Sequence, residues 1–332
     1  MRPVRRGACD AAAHAANGQR IPMANTDGTA SLAAASTTLK TPLARRLEPW
    51  FFVGPSLFLL LLVGLYPTIF VLYYSFHNWT MGMGPPTFAG LENYINALTS
   101  PGFLDALRRT GEFLIVTLPV ELGLGMAIAL ALDQTRNPAL RRLVQILLVV
   151  PIATTPSVVG MLVQLMFNTQ LGIVNYLGHR LGLGQVDWLG SGTAAFGMVT
   201  VTQIWEWTPF VALVLSASLA TVPGDIEEAL MLETESFWAR FLHIKLPYMR
   251  PGIVASLVFQ TIFTVKTFDM IYSIQKGGPG NATQMVSLKI ERIAFRGFDV
   301  GLASAESVLT LVFTILLAQA VVKFLYSDRA EG

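Results

Sequence analysis

The sequence predicts an all-α, polytopic membrane protein with six transmembrane helices. Only 13% of its 332 residues are charged, against about 25% in an ordinary soluble domain. The mean hydropathy is +0.54, and six apolar runs approach the roughly 20 residues that cross a bilayer as a helix. These runs lie at about 52–75, 112–132, 143–167, 195–221, 252–274 and 302–325. They define a membrane domain over residues 49–326, followed by a cytoplasmic tail at 327–332.

Residues 1–48 precede the first apolar run and are rich in Ala, Ser and Thr. They lack the apolar stretch of roughly 7–15 residues that a cleaved signal needs. We expect a disordered cytoplasmic tail, with Met23 as an alternative first residue.

Lys and Arg set the expected orientation, because positively charged segments stay on the cytoplasmic side. With the N-terminus inside, that side holds the basic tail, the 133–142 turn, the 223–251 loop and the C-terminus. The turn is the most informative, since short loops count most, and it contains Arg136, Arg141 and Arg142. The last outer loop is also basic and weakens the bias. The balance predicts that both termini are cytoplasmic.

A polar segment at 223–251 separates two apolar runs and has the pattern of two short amphipathic helices joined by a bend. Asp225 followed by Glu228 is a helix-start signature, because the two side chains can bond free N–H groups of the first turn. Pro247 and Pro251 are expected to end the second helix, since proline lacks an N–H and clashes with the preceding turn. We expect this segment to dock against a partner outside the membrane.

Charged side chains inside the spans need a reason, because each costs on the order of 3 kcal/mol near the bilayer centre. Lys266 and Asp269 are three residues apart on one predicted helix, so they either neutralise each other or line a substrate path. Glu121 lies among small residues that permit close packing, and we expect it to bond a neighbouring helix. Glu306, near the outer end of the last run, is expected to face water.

Glu206 lies between Trp205 and Trp207 and just before Pro209, which bends a helix. A carboxylate beside indole rings suits a polyhydroxylated ligand, because hydroxyls donate to the carboxylate and C–H faces stack on the rings. The two indoles are about 200° apart on a helix, so they cannot both point where Glu206 points. Pairing of Glu206 with another helix is the alternative.

Several classes of site are excluded by the sequence. A net charge of +2 gives no reason to expect nucleic acid, and Cys9 alone cannot form a disulfide framework. The four histidines show no ligand spacing, so we expect no metal. There is no phosphate-binding loop and no hydrolase motif, so we expect no catalytic residue. The six runs also show no two matched halves with paired helix breaks, which many secondary transporters have.

The polar segment at 223–251 resembles the EAA loop of inner-membrane permease subunits of binding-protein-dependent ABC importers. The spacing of that motif is intact. The matching positions are Glu228, Ala229, Glu233, Thr234, Phe241, Ile244, Leu246, Pro247 and Pro251. Thr234 stands where the family has a glycine, and a β-branched residue adopts positive φ only with strain. The geometry of the bend is therefore in question.

Three further segments are similar to the carbohydrate branch of that family, namely 88–94, 207–210 and 268–280. The resemblance implies a type I importer permease fold in a bacterial inner membrane, conducting a sugar, polyol or glycerol phosphate. It also implies a second homologous permease, two ATPase subunits and a soluble binding protein as partners. ATP and Mg would be bound by the ATPase, so this chain would need no cofactor.

The resemblance also implies roles for particular residues. The EAA positions would form coupling helices lodged in a cleft of the ATPase, with Glu228 contacting a cation there. The substrate path is predicted at Glu206, Trp205, Trp207, Asp269 and Tyr272. Two other hypotheses stay open: an ion-coupled secondary transporter with Lys266, Asp269 and Glu306 as its relay, and a membrane scaffold that transports nothing.

Overall fold

The computed structural model describes residues 43–182, 184–226 and 236–326. The predictions for the first 42 residues, for Glu228, Ala229, Glu233 and Thr234, and for 327–332 lie outside this range. By internal contacts the chain divides into Met1–Phe58 and Leu59–Gly332. The described part of the first unit is helical, and the second unit contains all the elements after the first helix.

The described residues are mainly α-helical, with one small hairpin and two π-helical turns. In chain order the elements are α1 (Leu43–Tyr74), β1 (His77–Asn78), β2 (Thr87–Phe88), α2 (Glu92–Thr99), α3 (Pro101–Gln134), α4 (Pro138–Ala153), α5 (Pro156–Met166), α6 (Ile173–Arg180), α7 (Gly192–Leu219), α8 (Phe237–Arg240), α9 (Leu246–Lys266), α10 (Asp269–Gln275), α11 (Val286–Glu291) and α12 (Val300–Tyr326). The π-helical turns are Phe241–Lys245, between α8 and α9, and Arg292–Arg296, after α11. The all-α prediction is confirmed.

Within the described ranges, four helices are long and apolar enough to cross a membrane, and six spans result if each of two bent pairs counts as one. The straight ones are Val53–Tyr74, Pro101–Gln134, Gly192–Leu219 and Val300–Leu325. The bent pairs are α4 with α5, at 90°, and Phe237–Lys266 with α10, at 45°. Each of the six predicted runs overlaps one of these units, which agrees with the predicted architecture.

The third predicted run is not a single straight helix. Thr154 and Thr155 are extended, with ψ of 137° and 129°, and separate α4 from α5. Thr155 precedes Pro156, and the ring of a proline pushes the residue before it out of helical geometry. α5 then packs against α10, where a Cβ on Gly160 would lie only 2.6 Å from the carbonyl oxygen of Met270. The bend therefore sets α5 against α10.

The centre of the bundle is formed by α3, α7 and α9. α3 packs along α7, and α9 packs against both α7 and α12. α3 and α7 run parallel, because Phe113 meets Phe196 at one end and Gly125 meets Val211 further along. α7 and α9 run antiparallel, and Gln203 of α7 donates to Thr264 of α9.

One end of the bundle carries the β1–β2 hairpin and α2, and we call it the hairpin end. Buried Asn93 of α2 donates to the carbonyl oxygens of Ser75 and His77, at 3.2 and 2.9 Å. The N–H groups of Val300 and Gly301 donate to the Trp79 carbonyl, which seats the hairpin on the start of α12. The position of a Cβ on Gly301 is already filled by the His77 carbonyl, so this contact requires glycine.

The segment 168–188, between α5 and α7, is ordered around one buried amide. Asn175 of α6 donates to the carbonyl oxygens of Thr169 and Val186, and it accepts from the N–H of Val186 and from Nε1 of Trp188. A single side chain thus bonds backbone groups near both ends of the segment and one indole N–H. This organising role was not predicted from the sequence.

Candidate functional site

The polar segment is rooted in the bundle by an aromatic side chain. Phe241, one of the predicted coupling residues, is buried and packs in a cluster with Ala129 of α3, Leu219 of α7 and Met249 of α9. Leu246 packs against the same cluster. Phe241 therefore holds the segment against three helices instead of presenting its ring to a partner.

An ion pair joins the same segment to α3. Lys245 donates to a carboxylate oxygen of Asp133, and their side chains are 13% and 24% exposed. Asp133 lies in the last turn of α3, where the 133–142 turn begins. We call this end of the bundle the loop end. Ile244 and Pro247, two further predicted coupling residues, are half-buried beside the pair.

The prediction that the second helix ends at Pro247 and Pro251 was wrong. The chain is helical from Phe237 to Lys266, with Pro247 in the first turn of α9 and Pro251 inside it. Just before Pro247, the Leu246 N–H donates to the Phe241 carbonyl, five residues back, in a π-helical turn. A proline ring clashes with the carbonyl four residues back, and a wider turn moves that carbonyl away. The segment thus continues directly into a membrane span.

Two apolar side chains on the segment remain exposed. Trp238 and Leu242 are 67% and 51% exposed, and residues four apart share one face of a helix. Exposed Trp and Leu together on a polar segment indicate a contact surface. Neither was predicted as a site residue, although their spacing was visible in the sequence.

Glu206, Trp205 and Trp207 diverge, as helical geometry predicted. Glu206 is buried at 2% exposure, while Trp205 is 53% exposed. The Trp207 ring stacks on Phe263 of α9, with centroids 5.0 Å apart. The structure therefore does not bring the carboxylate and both indoles into one site.

Glu206 instead belongs to a buried polar layer inside the bundle. Gln203, one turn earlier, and Gln260 of α9 are also buried, and Gln260 donates to the Trp207 carbonyl at 3.3 Å. The contacts Phe113–Phe196 and Gly125–Val211 place Glu121 of α3 level with Glu206. We name Glu121, Gln203, Glu206 and Gln260 the polar layer.

Several acceptor oxygens of the polar layer are unbonded. Among the described residues, neither oxygen of Glu121 has a hydrogen-bond partner, and the same is true of Oε2 of Glu206 and Oε1 of Gln203 and Gln260. The prediction that Glu121 bonds a neighbouring helix finds no such bond here. Because all four residues are enclosed within one chain, the layer is not an open surface in this conformation.

Asp269 and Lys266 do not form the predicted pair on one helix. The helix breaks at Thr267 and Phe268, and the two charged residues lie on opposite sides of the break. Both are exposed, and no ion pair joins them. Asp269 occupies the first turn of α10, where a carboxylate is favoured by the helix dipole.

Tyr272 follows on α10 and contacts two groups. Its ring stacks on Phe268 with centroids 5.3 Å apart, and the guanidinium of Arg296 lies 6.0 Å from the ring centre. Tyr272 and Asp269 therefore share a helix with each other but not with Glu206.

The prediction that Glu306 faces water was wrong. Its side chain is fully buried, and Oε1 lies 3.4 Å from Nζ of Lys289 in α11. Lys289 and Glu306 are seventeen positions apart. The path of the chain between them cannot be predicted from the sequence pattern.

The pairing of Lys289 bears on the basic outer loop. Arg292 donates to Asn281 and to the Lys276 carbonyl, and Arg296 pairs with Glu291 at 3.7 Å. These basic residues make contacts within the chain, so their number is a weak guide to orientation.

No group of three or more His, Cys, Asp or Glu side chains is placed to hold a metal ion within the part of the chain that the structure describes. The arrangement is one of packing surfaces and a polar interior.

The sequence matches one protein family and several transport proteins. Residues 121–327 match the sequence profile of the binding-protein-dependent transport system inner membrane component. The trehalose/maltose transport system permease protein of Thermococcus litoralis is 30% identical over 269 residues, covering 80% of this chain and 89% of that protein. The sulfoquinovosyl glycerol transport system permease protein of Agrobacterium fabrum is 30% identical over 274 residues, covering 82% and 88%.

A solved structure shares the fold. It is a bacterial alginate ABC transporter in complex with an alginate pentasaccharide-bound periplasmic protein, and its matching chain superimposes with a TM-score of 0.73 at 18% identity. The match covers 87% of this chain and 99% of that one.

Proposed function

Because this chain belongs to the family of binding-protein-dependent transport system inner membrane components, it is a multi-pass permease subunit of an importer, and we propose that it conducts a sugar or polyol. The two relatives at 30% identity are named for a disaccharide and for a sugar-bearing glycerol. A polyhydroxylated solute has many donors, and the polar layer has unbonded acceptors. Both observations support this substrate class.

The chain works with other subunits in this proposal. A second homologous permease completes the path, two ATPase subunits bind ATP and Mg, and a soluble binding protein delivers the solute. The absence of a phosphate-binding loop from the sequence supports the division of labour. The loop end then faces the cytoplasm of a bacterial cell, with both termini on that side and the hairpin end outside.

The main support for the proposal is that the polar segment is attached firmly to the membrane spans. Its exposed Trp238 and Leu242 offer a contact surface, while Phe241 and Lys245 fix it to the spans. The helix from Phe237 to Lys266 is about 45 Å long at 1.5 Å per residue. A push on its exposed end moves the fifth span as a rigid body, which is how such subunits can switch between two conformations.

The ATPase contact itself involves the EAA residues. Glu228, Ala229, Glu233 and Thr234 form the first half of that surface in the proposal, with Glu228 facing a cation of the ATPase. Ile244 and Pro247 complete the second half together with Trp238, and Leu246 supports them by packing against the cluster of Phe241. Phe241 stays in the set as the residue that holds the others in place.

The proposed substrate path has an open part and an enclosed part. Trp205 and Asp269 are exposed on the surface of this chain and are free to face the second permease. Tyr272 lies one turn from Asp269. Glu206 and Trp207 lie deeper, and they reach the solute only when the helices around the polar layer separate.

The binding protein is proposed to dock at the hairpin end, on the segment 168–188. Leu171 and Leu181 are 91% and 79% exposed there, and Tyr176 is 54% exposed. Exposed apolar residues on a segment ordered by Asn175 suit a docking surface. The alginate transporter, with the same fold, was solved in complex with a periplasmic protein.

The test is reconstitution in proteoliposomes with the second permease, the ATPase and the binding protein. Calorimetric titration of the binding protein with maltose, trehalose, sorbitol and glycerol 3-phosphate selects the solute. We then expect uptake of that solute to require ATP on the side of the membrane that the loop end faces. Uptake should persist when ionophores collapse the ion gradients. Uptake that persists without ATP and stops with ionophores contradicts the proposal and favours an ion-coupled carrier.

A further inference from the structure

The last turn of α3 contains an acidic residue in an unfavourable place. The C-terminal end of a helix carries partial negative charge, so a carboxylate there is repelled unless a cation is near. Asp133 occupies that position, and the ammonium of Lys245 lies against it. Lys245 thus neutralises both the carboxylate and the end of α3. Asp133 lies outside the EAA motif. Its pair with Lys245 is only partly exposed, so salt screens the attraction less than it screens a surface pair.

The pair is a polar link between two elements of the bundle. Lys245 belongs to the π-helical turn that precedes α9, and Asp133 belongs to the helix that packs along α7. Phe241 adds an apolar attachment near the same place, because it belongs to the buried cluster that includes Ala129, one turn before Asp133. An apolar contact can slide, whereas an ion pair at short range fixes direction and position.

α3 is suited to carry a displacement to the far end of the bundle. At its middle, a Cβ on Gly125 would lie 2.7 Å from Val211, so the two helices touch there without slack. At its far end, Oγ1 of Thr110 accepts from the N–H of Val286, the first residue of α11, at 3.1 Å. The helix thus spans from the polar segment to the hairpin end with fixed contacts at three levels.

We infer that Asp133 is a positioning residue. Its ion pair with Lys245 transmits movement of the polar segment to α3, and through α3 to the hairpin end. This inference rests on the proposed function for the source of the movement. The anchoring of the segment by the pair does not depend on it. Asp133 touches neither solute nor ATPase in this scheme.

The first test concerns anchoring and uses the purified full chain in detergent. We compare Asp133→Asn, which keeps the shape and removes the charge, with Asp133→Glu, which keeps the charge. Glu112→Gln is the matched control, because its pair with Arg108 is exposed at the hairpin end. In Asp133→Asn, hydrogen exchange of backbone amides in 237–249 is expected to be about tenfold faster, while Asp133→Glu and the control match the wild type. Unchanged exchange in Asp133→Asn overturns the inference.

The second test concerns transmission and uses the assembled complex. Spin labels replace Leu104 on α3 and Met83 in the β1–β2 hairpin, both exposed, in a Cys9→Ser background. Mg·ATP with vanadate should shift the distance between the labels in the wild type and in Asp133→Glu. Asp133→Asn should keep ATP hydrolysis at the wild-type rate and lose the shift.

The outcomes separate the inference from the proposed function. A full shift in Asp133→Asn overturns transmission through the pair. Loss of ATP hydrolysis, with faster exchange throughout α12 as well, shows a general structural role and also overturns it. A wild-type complex that neither assembles with the ATPase nor hydrolyses ATP refutes the proposed function, and the exchange measurement then decides the anchoring alone.

Discussion

Phe241 shows how a single side chain can belong to a docking motif and yet face its own protein. It is 8% exposed and contacts the ends of three helices. Replacing a buried Phe with Ala costs about 3–5 kcal/mol in protein cores. For Phe241→Ala we therefore expect a lower melting temperature in detergent and loss of uptake, while the ATPase still attaches weakly.

Phe241→Leu is the matched variant, because it keeps much of the buried volume. It should retain most of the stability and of the uptake. Equal behaviour of the Ala and Leu variants would show that burial of this ring does not matter. The measurements are thermal unfolding in detergent and uptake in proteoliposomes.

Glu206 is the second test at the scale of a residue. Glu206→Leu removes one carboxylate from the polar layer and adds an apolar group beside Gln203 and Gln260. If the layer meets the solute, uptake falls and its concentration dependence changes, while the ATPase stays bound. Trp205→Leu, on the exposed side of the same turn, separates the enclosed part of the path from the open part. Unchanged uptake in Glu206→Leu would leave the carboxylate with a structural role only.

At this scale the sequence predicted positions along helices better than partners across them. That Glu206 and its two indoles diverge followed from 100° per residue. That Glu306 pairs with Lys289 did not follow, because the two residues meet only after α11 and the π-helical turn fold back onto α12. Such a contact depends on the path of an irregular connection, which periodicity does not encode.

Among the elements, the contact of α3 with α7 makes a sharp prediction. A Cβ on Gly125 would lie 2.7 Å from Cγ1 of Val211, whereas one on Gly123 would meet nothing within 4 Å. Gly125→Ala should therefore push the helices apart, at a cost of about 1–3 kcal/mol for overpacking. Gly123→Ala, on the same helix, should be neutral or slightly stabilising. Thermal unfolding of the two variants in detergent decides the matter, and equal midpoints would contradict the close contact.

The 168–188 segment makes another prediction at this scale. Asn175→Asp keeps the size of the side chain but loses the N–H groups that bond the carbonyls of Thr169 and Val186. A buried group left without its partner costs about 1–3 kcal/mol. We expect faster cleavage of this segment by an added protease, with the spans intact. A cleavage rate like that of the wild type would mean that Asn175 does not order the segment.

Proline residues were unreliable predictors of where helices end in this chain. Pro156 produced a bend of 90° within a run that reads as one span, whereas Pro247 and Pro251 produced no end at all. The difference lies in the surroundings: Pro156 begins a helix after two extended residues, while Pro247 follows a π-helical turn that accommodates its ring. Whether a proline stops a helix or is absorbed depends on packing that one sequence does not reveal.

At the scale of the whole molecule, the division of labour predicts what the isolated chain cannot do. Purified alone, it should hydrolyse no ATP above the rate of empty detergent micelles, since its sequence has no phosphate-binding loop. Addition of the ATPase should produce the activity. Hydrolysis by the chain alone would overturn the assignment of ATP and Mg to a partner.

Coupling predicts a second behaviour of the assembled protein. Glu228→Ala should abolish uptake and weaken attachment of the ATPase, with all spans still inserted. Glu112→Ala, which removes an exposed carboxylate at the hairpin end, is the control for the same chemical change away from the coupling surface. The amount of ATPase that co-purifies, together with uptake, gives the answer, and normal uptake in Glu228→Ala would refute the coupling role.

The buried pair of Lys289 and Glu306 has a consequence for biosynthesis. The last span must carry Glu306 out of water as it leaves the ribosome, and a lone acidic residue inside a helix resists insertion by about 3 kcal/mol on translocon scales. Lys289 precedes it in the chain and is therefore already made when Glu306 emerges. In the folded protein the cation beside Glu306 offsets that cost, and Lys289 is made before the residue that needs it.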